Sequence, residues 1–239
     1  MPGTPLPSTQ PGTMAIILAA GRSSRTAPAH KLLACDASGQ PMLLRTLNAV
    51  LASAVEEVLV LLPPERPDMA ALLHPLLESP ANAPPASAPL APGGRQPVRR
   101  LRMTCVRQPE LGLSRSLHAG VRAAMRRRAS SLLVCLADMP LVSPALLDTL
   151  LNTQRTTHAP AVAPDRHGQP GNPVLWSAQC YDRLLTVQGD HGGRTILRDL
   201  GSAVRLVPAP AAMLEDFDTP ERLSDFARMR AADPTPPQA

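Results

Sequence analysis

Four short stretches of the chain carry side chains suited to phosphate chemistry. The first follows the apolar run Ala15 to Ala20: Gly21-Arg22-Ser23-Ser24-Arg25, with Lys31 beyond it. Backbone N–H groups at a glycine turn, two hydroxyls and the cations Arg25 and Lys31 suit a triphosphate. The spacing matches neither GxxxxGK[ST] nor GxGxxG, so a plain glycine–serine turn with solvated arginines reads equally well. The second is Asp138, which ends the apolar run SLLVCLA just before Pro140. A carboxylate there can hold Mg²⁺ or simply start a turn. The third is LEDFDTPER, where Glu215, Asp216 and Asp218 surround Phe217. In an extended segment Asp216 and Asp218 point the same way, so one of them can meet Asp138 across a metal; capping of the following helix by Asp218 or Thr219 is the alternative. The fourth is GLSRSLHAG, where Ser114 and Ser116 sit near a helix start that favours anions or is merely capped.

Placing these groups requires alternating strands and helices. Strands are expected over Ala15–Ala20, Glu57–Leu62, Leu101–Val106 and Ser131–Ala137, with shorter ones over Ala159–Ala163, Val174–Trp176 and Val204–Val207. Helices are expected over Pro41–Ser53, Asp68–Leu77 (ended or bent by Pro75), Ser114–Arg128 and Ser143–Gln154, and after Ser177, Gly192 and Thr219. Continuous apolar strands in βαβα order predict an α/β fold whose mostly parallel sheet has helices on both faces. Ligands then sit beyond the strands' carboxyl ends, which is where Gly21–Arg25, Arg107–Ser116 and Asp138 fall.

Composition bounds the rest. Residues 14–232 read as one domain, interrupted by a Pro/Ala/Gly insertion near 80–97. Residues 1–13 and 233–239 read as disordered tails, because such segments bury too little surface to offset chain entropy. The four cysteines, Cys35, Cys105, Cys135 and Cys180, lack CxxC spacing and read as reduced, buried or half-buried thiols of a cytoplasmic protein. No run is long enough to span a membrane. A net charge of +5 with only four aromatic residues gives no base-stacking surface for nucleic acid. Arg126-Arg127-Arg128 reads as a solvated helix end.

In combination, LAAGRSSR with Lys31, GLSRSLHAG, LADMPLV, PGNPVLW, GDHGGR and DFDTPERL follow one order from Ile16 to Leu223. In these pieces the chain resembles the MobA-like nucleotidyltransferases, and most closely their molybdenum cofactor cytidylyltransferase branch. The resemblance implies a Rossmann-like nucleotidyltransferase fold. It implies that Leu18, Ala19, Ala20, Gly21, Arg22, Ser23, Ser24, Arg25 and Lys31 bind the nucleotide, together with Gln108, Gly112, Ser114 and Ser116. Arg25, Lys31 and Asp138 would be catalytic, and Asp138 with Asp218 would hold Mg²⁺. Ala-Ala-Gly in the first loop implies CTP; Ala-Gly-Gly, which lacks a methyl, goes with GTP. Asn172, Asp190, His191 and Arg194 would border the acceptor, a molybdopterin-type phosphate, and a molybdoenzyme is the implied partner. Two departures stand out. Arg25 is followed by Thr26-Ala27 and Lys31 falls one residue later than in the family, leaving His30 unassigned. Gly171-Asn172-Pro173 replaces Gly-His-Pro, which bears on the acceptor. The alternatives are the same chemistry with GTP or another phosphate acceptor, and a non-catalytic maturation partner.

Overall fold

The structure, a computed structural model, describes residues 12–21, 30–82, 100–109, 112–190 and 192–230. Six-residue apolar segments build its centre: β1 (Thr13–Leu18), β2 (Glu57–Leu62) and β4 (Ser131–Leu136) are buried almost throughout. Strands apolar on both sides require cover on both sides, and they pair in parallel, β1 lying between β2 and β4. Leu18 stands opposite both Leu61 and Leu136, so the carboxyl ends of the three strands finish level. β3 (Leu101–Cys105) adds in parallel to β2 at the edge.

Beyond β4 the pairing changes. β7 (Val174–Ser177) runs antiparallel to β4, and β5 (Ala161–Arg166) antiparallel to β7; β8 (Val204–Val207) is parallel to β5. A two-residue strand, β6 (Gln169–Pro170), folds back on β5. Its turn is His167-Gly168, both at positive φ, the geometry of a tight primed hairpin turn. The Asp165 carboxylate steadies it by accepting from the Gly168 N–H at 2.6 Å. The sheet is thus mixed but mostly parallel, with the Rossmann-like α/β architecture expected.

Two apolar cores lie on opposite faces of the sheet. One holds α1 (Met42–Leu51), α2 (Pro67–Glu78), α4 (Pro144–Thr157) and α7 (Pro220–Arg228). The other holds α3 (Leu113–Arg127), α5 (Tyr181–Leu184) and α6 (Arg194–Leu200). Leu117, Gly120, Val121 and Ala124 form the buried stripe of α3, at the spacing of one helix face.

Several expectations need correction. Thr13 belongs to β1 rather than to a tail, because it pairs with Ser131. Pro80–Asn82 is a 3-10 turn rather than loose insertion, since the Asn82 amide holds both backbone groups of Leu101. The remainder of the expected insertion (83–97), residues 1–11 and the tail at 233–239 lie outside the described residues. α2 runs through Pro75 to Glu78, anchored by the fully buried Met69 and Leu73. Ser114 does not cap α3; Gly112 holds the cap position and Ser114 is buried one turn in. All four cysteines are free, but Cys35 and Cys105 are exposed, the latter because β3 is an edge strand. No helix among the described residues is long and apolar enough to cross a membrane.

Ser143 caps α4, accepting from the Leu146 N–H at 3.2 Å with Pro144 at the first helical position. Ser143→Ala should cost about 1 kcal/mol, read as a thermal midpoint lower by roughly 2–4 °C; an unchanged midpoint would show that the cap contributes nothing.

Candidate active site

The level carboxyl ends of β1 and β4 open on one edge of the sheet, and the polar groups gather there. Past β1, Ala19 continues the ladder by donating to the Leu61 carbonyl, and past β4 the Ala137 N–H donates to the Leu18 carbonyl. The chain then frees itself at Gly21 and Asp138. Thr46 of α1 holds the Ala137 carbonyl at 3.0 Å, which fixes where Asp138 begins.

The Asp138 carboxylate accepts from the Lys31 ammonium at 2.5 Å, across 107 residues of sequence. Both side chains are about one-sixth exposed, 16% and 17%. The Asp138 carbonyl accepts from the Phe217 N–H at 3.0 Å. That bond lays the Asp216-Phe217-Asp218 segment alongside the end of β4. Phe217 is fully buried and meets Phe226 of α7 edge to face at 5.8 Å. Thr219, not Asp218, caps α7. Glu215 is taken up by Arg222 at 2.9 Å.

His30 closes the base of the first loop. Its Nε2 stands 3.3 Å from the Gly21 carbonyl, and its Nδ1 accepts from the Leu32 N–H at 3.4 Å. The neutral ring with its proton on Nε2 satisfies both contacts. Burial, then the nearby Arg66 guanidinium, lowers its pKa from the ordinary histidine value. Lys31 follows directly, in a 3-10 turn over Lys31–Leu33. The turn beyond is pinned by Asp36, whose carboxylate accepts from the Ser38 hydroxyl and from the Ser38 and Gln40 N–H groups, and pairs with Arg45. Burial raises the Asp36 pKa, but these donors together outweigh it and hold the group below its ordinary value.

A cleft of about 200 Å³ lies beside this junction. Leu18, Leu136 and Met139 bring the strand ends into its wall, and Trp176 and Leu117 supply apolar surface. Its polar lining is Asn172, Asp190, Arg194, Arg166 and Asp216. Leu18, Asn172, Asp190 and Arg194 all line this one cleft. Asp190 also has a structural task, accepting from the Leu113 N–H at 2.8 Å where α3 begins. Gly112 sits there at φ +102°, and a Cβ would lie 2.8 Å from the Asp190 carboxylate. Gly193 is equally constrained, since a Cβ would fall 2.4 Å from the Trp176 ring.

The remaining expected residues scatter around this centre. Ala19 and Ala20 are buried and Gly21 is exposed at the loop start. Gln108, at φ 56°, receives Arg115 at 2.7 Å. Ser114 and Ser116 are buried in the first turns of α3. Arg22, Ser23, Ser24, Arg25 and His191 lie outside the described residues. Asp218 neighbours the Asp138 junction through Phe217, whereas it is Asp216 that lines the cleft. Arg166, which also lines the cleft, had no sequence signal; it follows from the hairpin turn at His167-Gly168. Among the described residues no cluster of three His, Cys, Asp or Glu side chains forms a metal cage. Mg²⁺, however, takes one or two carboxylates and fills its shell with phosphate oxygens and water. Asp138 and an acid of the Asp216–Asp218 segment, joined at the Phe217 N–H, fit that donor set.

Comparison with known proteins accords with this geometry. The sequence profile of the MobA-like NTP transferase domain matches residues 15–204. Purine catabolism protein PucB of Bacillus subtilis is 28% identical over 219 residues, covering 88% of this chain and 94% of that protein. Phosphoenolpyruvate guanylyltransferase of Conexibacter woesei is 32% identical over 127 residues, covering 52% of this chain and 56% of that one. In fold, a nucleotidyl transferase from Methanothermobacter superposes with a TM-score of 0.68 at 23% identity, over 90% of this chain and 96% of that one.

The depressed pKa of His30 has a pH signature. Above the unfolded value near 6.5 the native neutral ring contributes its full stability. As pH falls, the unfolded chain takes up the proton first, and stability declines until the lower folded pKa is passed. His118, shifted the same way by burial and then by Arg122, adds to the slope. Chemical denaturation should show falling stability below pH 6.5, with a shallower decline in His30→Gln; identical slopes would remove His30 from the account.

Proposed function

The chain belongs to the MobA-like NTP transferase domain family, and from that membership and the cleft geometry we propose that it transfers CMP from CTP to a molybdopterin-type phosphate. The observation that carries the reading is the junction at Asp138. There an ammonium, a strand-end carboxylate and the acidic segment around Phe217 meet where the first glycine loop begins.

Nucleotidyl transfer needs no protein nucleophile. An oxygen of the acceptor phosphate attacks the α-phosphorus in line, the bond to the β-phosphate oxygen breaks, and pyrophosphate leaves with the electron pair. Catalysis is then positioning and charge neutralisation. Lys31 supplies fixed positive charge for the growing negative charge on pyrophosphate, and Arg25 is assigned the same task. The backbone after Ala20 and the start of α3 are assigned to the nucleotide, and the Ala20 methyl, which takes the space a glycine would leave for a purine, favours CTP. Mg²⁺, held by Asp138 and Asp218, would neutralise phosphate oxygens when bound. The Lys31 ammonium contacts the Asp138 carboxylate and holds it in place. Asn172, Arg194 and Asp190 line the side assigned to the acceptor, with Arg166 and Arg194 offering guanidinium groups to its phosphate; His191 is assigned the same side from the sequence alone. The product would pass to a molybdoenzyme.

A second reading keeps the chemistry and changes the nucleotide to GTP. It is favoured by the relative named a guanylyltransferase, which is similar over half of this chain.

Pyrophosphate release measured with CTP and with GTP, Mg²⁺ and molybdopterin separates the readings, and the product mass identifies the nucleotide transferred. Asp138→Asn should lower turnover roughly 10²-fold or more with little change in thermal midpoint. Near wild-type turnover in that variant would refute the assigned role.

A further inference from the structure

A second concavity of about 570 Å³ lies away from the cleft, between β3 and α3, and shares no lining residue with it. Its origin is an uncovered part of the sheet. α3 packs over β1, β2 and β4, while on the opposite face α2 packs against β3. On the α3 side, β3 has no helix above it among the described residues. The side chains on that face are polar: Arg102 stands beside Leu59 and Thr104 beside Leu61 in the strand register. An unfinished apolar slot would present leucines here instead.

The charge in this groove is one-sided. Arg102, Arg107, Arg115, Arg122, Arg126 and Arg127 all line it. Arg127 is answered by Glu57 at 3.1 Å, and Arg115 rests on the neutral Gln108. Arg102, Arg107 and Arg122 are exposed and have no ion pair among the described residues. The segment before β3 adds no negative charge: residues 83–99 contain Arg95 and Arg99 and no carboxylate, and Glu110, in the link from β3 to α3, lies outside the described residues. Arg115, Arg122 and Arg126 recur along one side of α3, a span of roughly 16 Å at about 1.5 Å per residue. Five residues of β3 cover about the same length.

β3 also ends the sheet, pairing with β2 alone among the described residues. The Asn82 amide already holds both backbone groups of Leu101, so the outward N–H and C=O groups of β3 beyond Leu101 form the template for another extended strand. A strand added there would direct every second side chain onto the groove face, beside Arg102 and beneath Arg122. We infer that the β3–α3 groove docks an extended acidic segment of a partner protein, which adds to the edge of β3 and places alternate carboxylates among the arginines. A single-stranded nucleic acid is the weaker fit, because no Phe, Tyr or Trp lines the groove and His118 is its one ring for a base to stack on among the described residues. This inference does not depend on the identity of the nucleotide or acceptor in the cleft.

The test uses the full chain and a fluorescein-labelled (Glu-Thr)5 peptide, followed by anisotropy at physiological salt. Three probes accompany it: its backbone N-methylated analogue, which keeps the charge and loses the N–H donors, a dT10 oligonucleotide, and inorganic tripolyphosphate as competitor. The expected result is saturable binding to (Glu-Thr)5, at least 10-fold weaker for the N-methylated analogue. Binding should also fall at least 10-fold in Arg102→Glu/Arg122→Glu, with thermal midpoint and nucleotidyl transfer unchanged. The bound peptide should slow hydrogen exchange along β3 and protect the exposed Cys105 thiol from alkylation. Equal binding of the two peptides, tighter binding of dT10, complete displacement by tripolyphosphate at equimolar concentration, or insensitivity to the double charge reversal would each overturn the proposal.

Discussion

The site depends on one ion pair and the backbone atom beneath it. Lys31 and Asp138 lie 107 residues apart in sequence and meet at 2.5 Å, while the Asp138 carbonyl receives the Phe217 N–H. A partly exposed pair of this kind contributes little to net stability, because solvent screens it and both side chains lose freedom. Its value is positional. It keeps an ammonium and a carboxylate in contact where the strand ends open.

That arrangement is held from behind by a chain of buried contacts. Asp36 fixes the turn after Lys31 and pairs with Arg45, whose guanidinium lies 5.9 Å from the centre of the Phe226 ring. Phe226 in turn meets Phe217, and Phe217 returns to Asp138. The Met229 carbonyl, just past α7, accepts from the Ala37 N–H and closes the circuit. Three segments far apart in sequence thus share one rigid mounting. The opposite wall is mounted separately, by Asp190 and Gly112 at the start of α3. The cleft lies between two independently braced sides.

Much of this was legible in the residues. β1, β2 and β4 announced themselves because continuous apolar runs stopped by glycine, proline or aspartate have few other uses. Ser143 and Thr219 were legible as caps because each precedes a proline at the first helical position. Other features were not. Ser114 looked like a cap by type, yet packing buries it, and Asp190 accepts instead from the N–H of Leu113, 77 residues before it. Long-range bonds of that kind leave no local trace. Arg166 lines the cleft only because a two-residue turn folds β6 back on β5, and His-Gly is an uncommon pair for such a turn. Cys105 was read as at least half-buried because β3 is apolar in part, but its place at the sheet edge, set by the strand order, exposes it. Local patterning wrote the elements; pairing order and chain-distant hydrogen bonds decided which side chains face the substrate.

The most direct measurement of the central claim is Mn²⁺ affinity in the presence of a non-hydrolysable CTP analogue, followed by water proton relaxation. The account predicts a single tight nucleotide-dependent site in the wild-type protein, weakened by Asp218→Asn as well as by Asp138→Asn. Unchanged affinity in both variants would contradict it, because the two acids joined through Phe217 would then not share an ion.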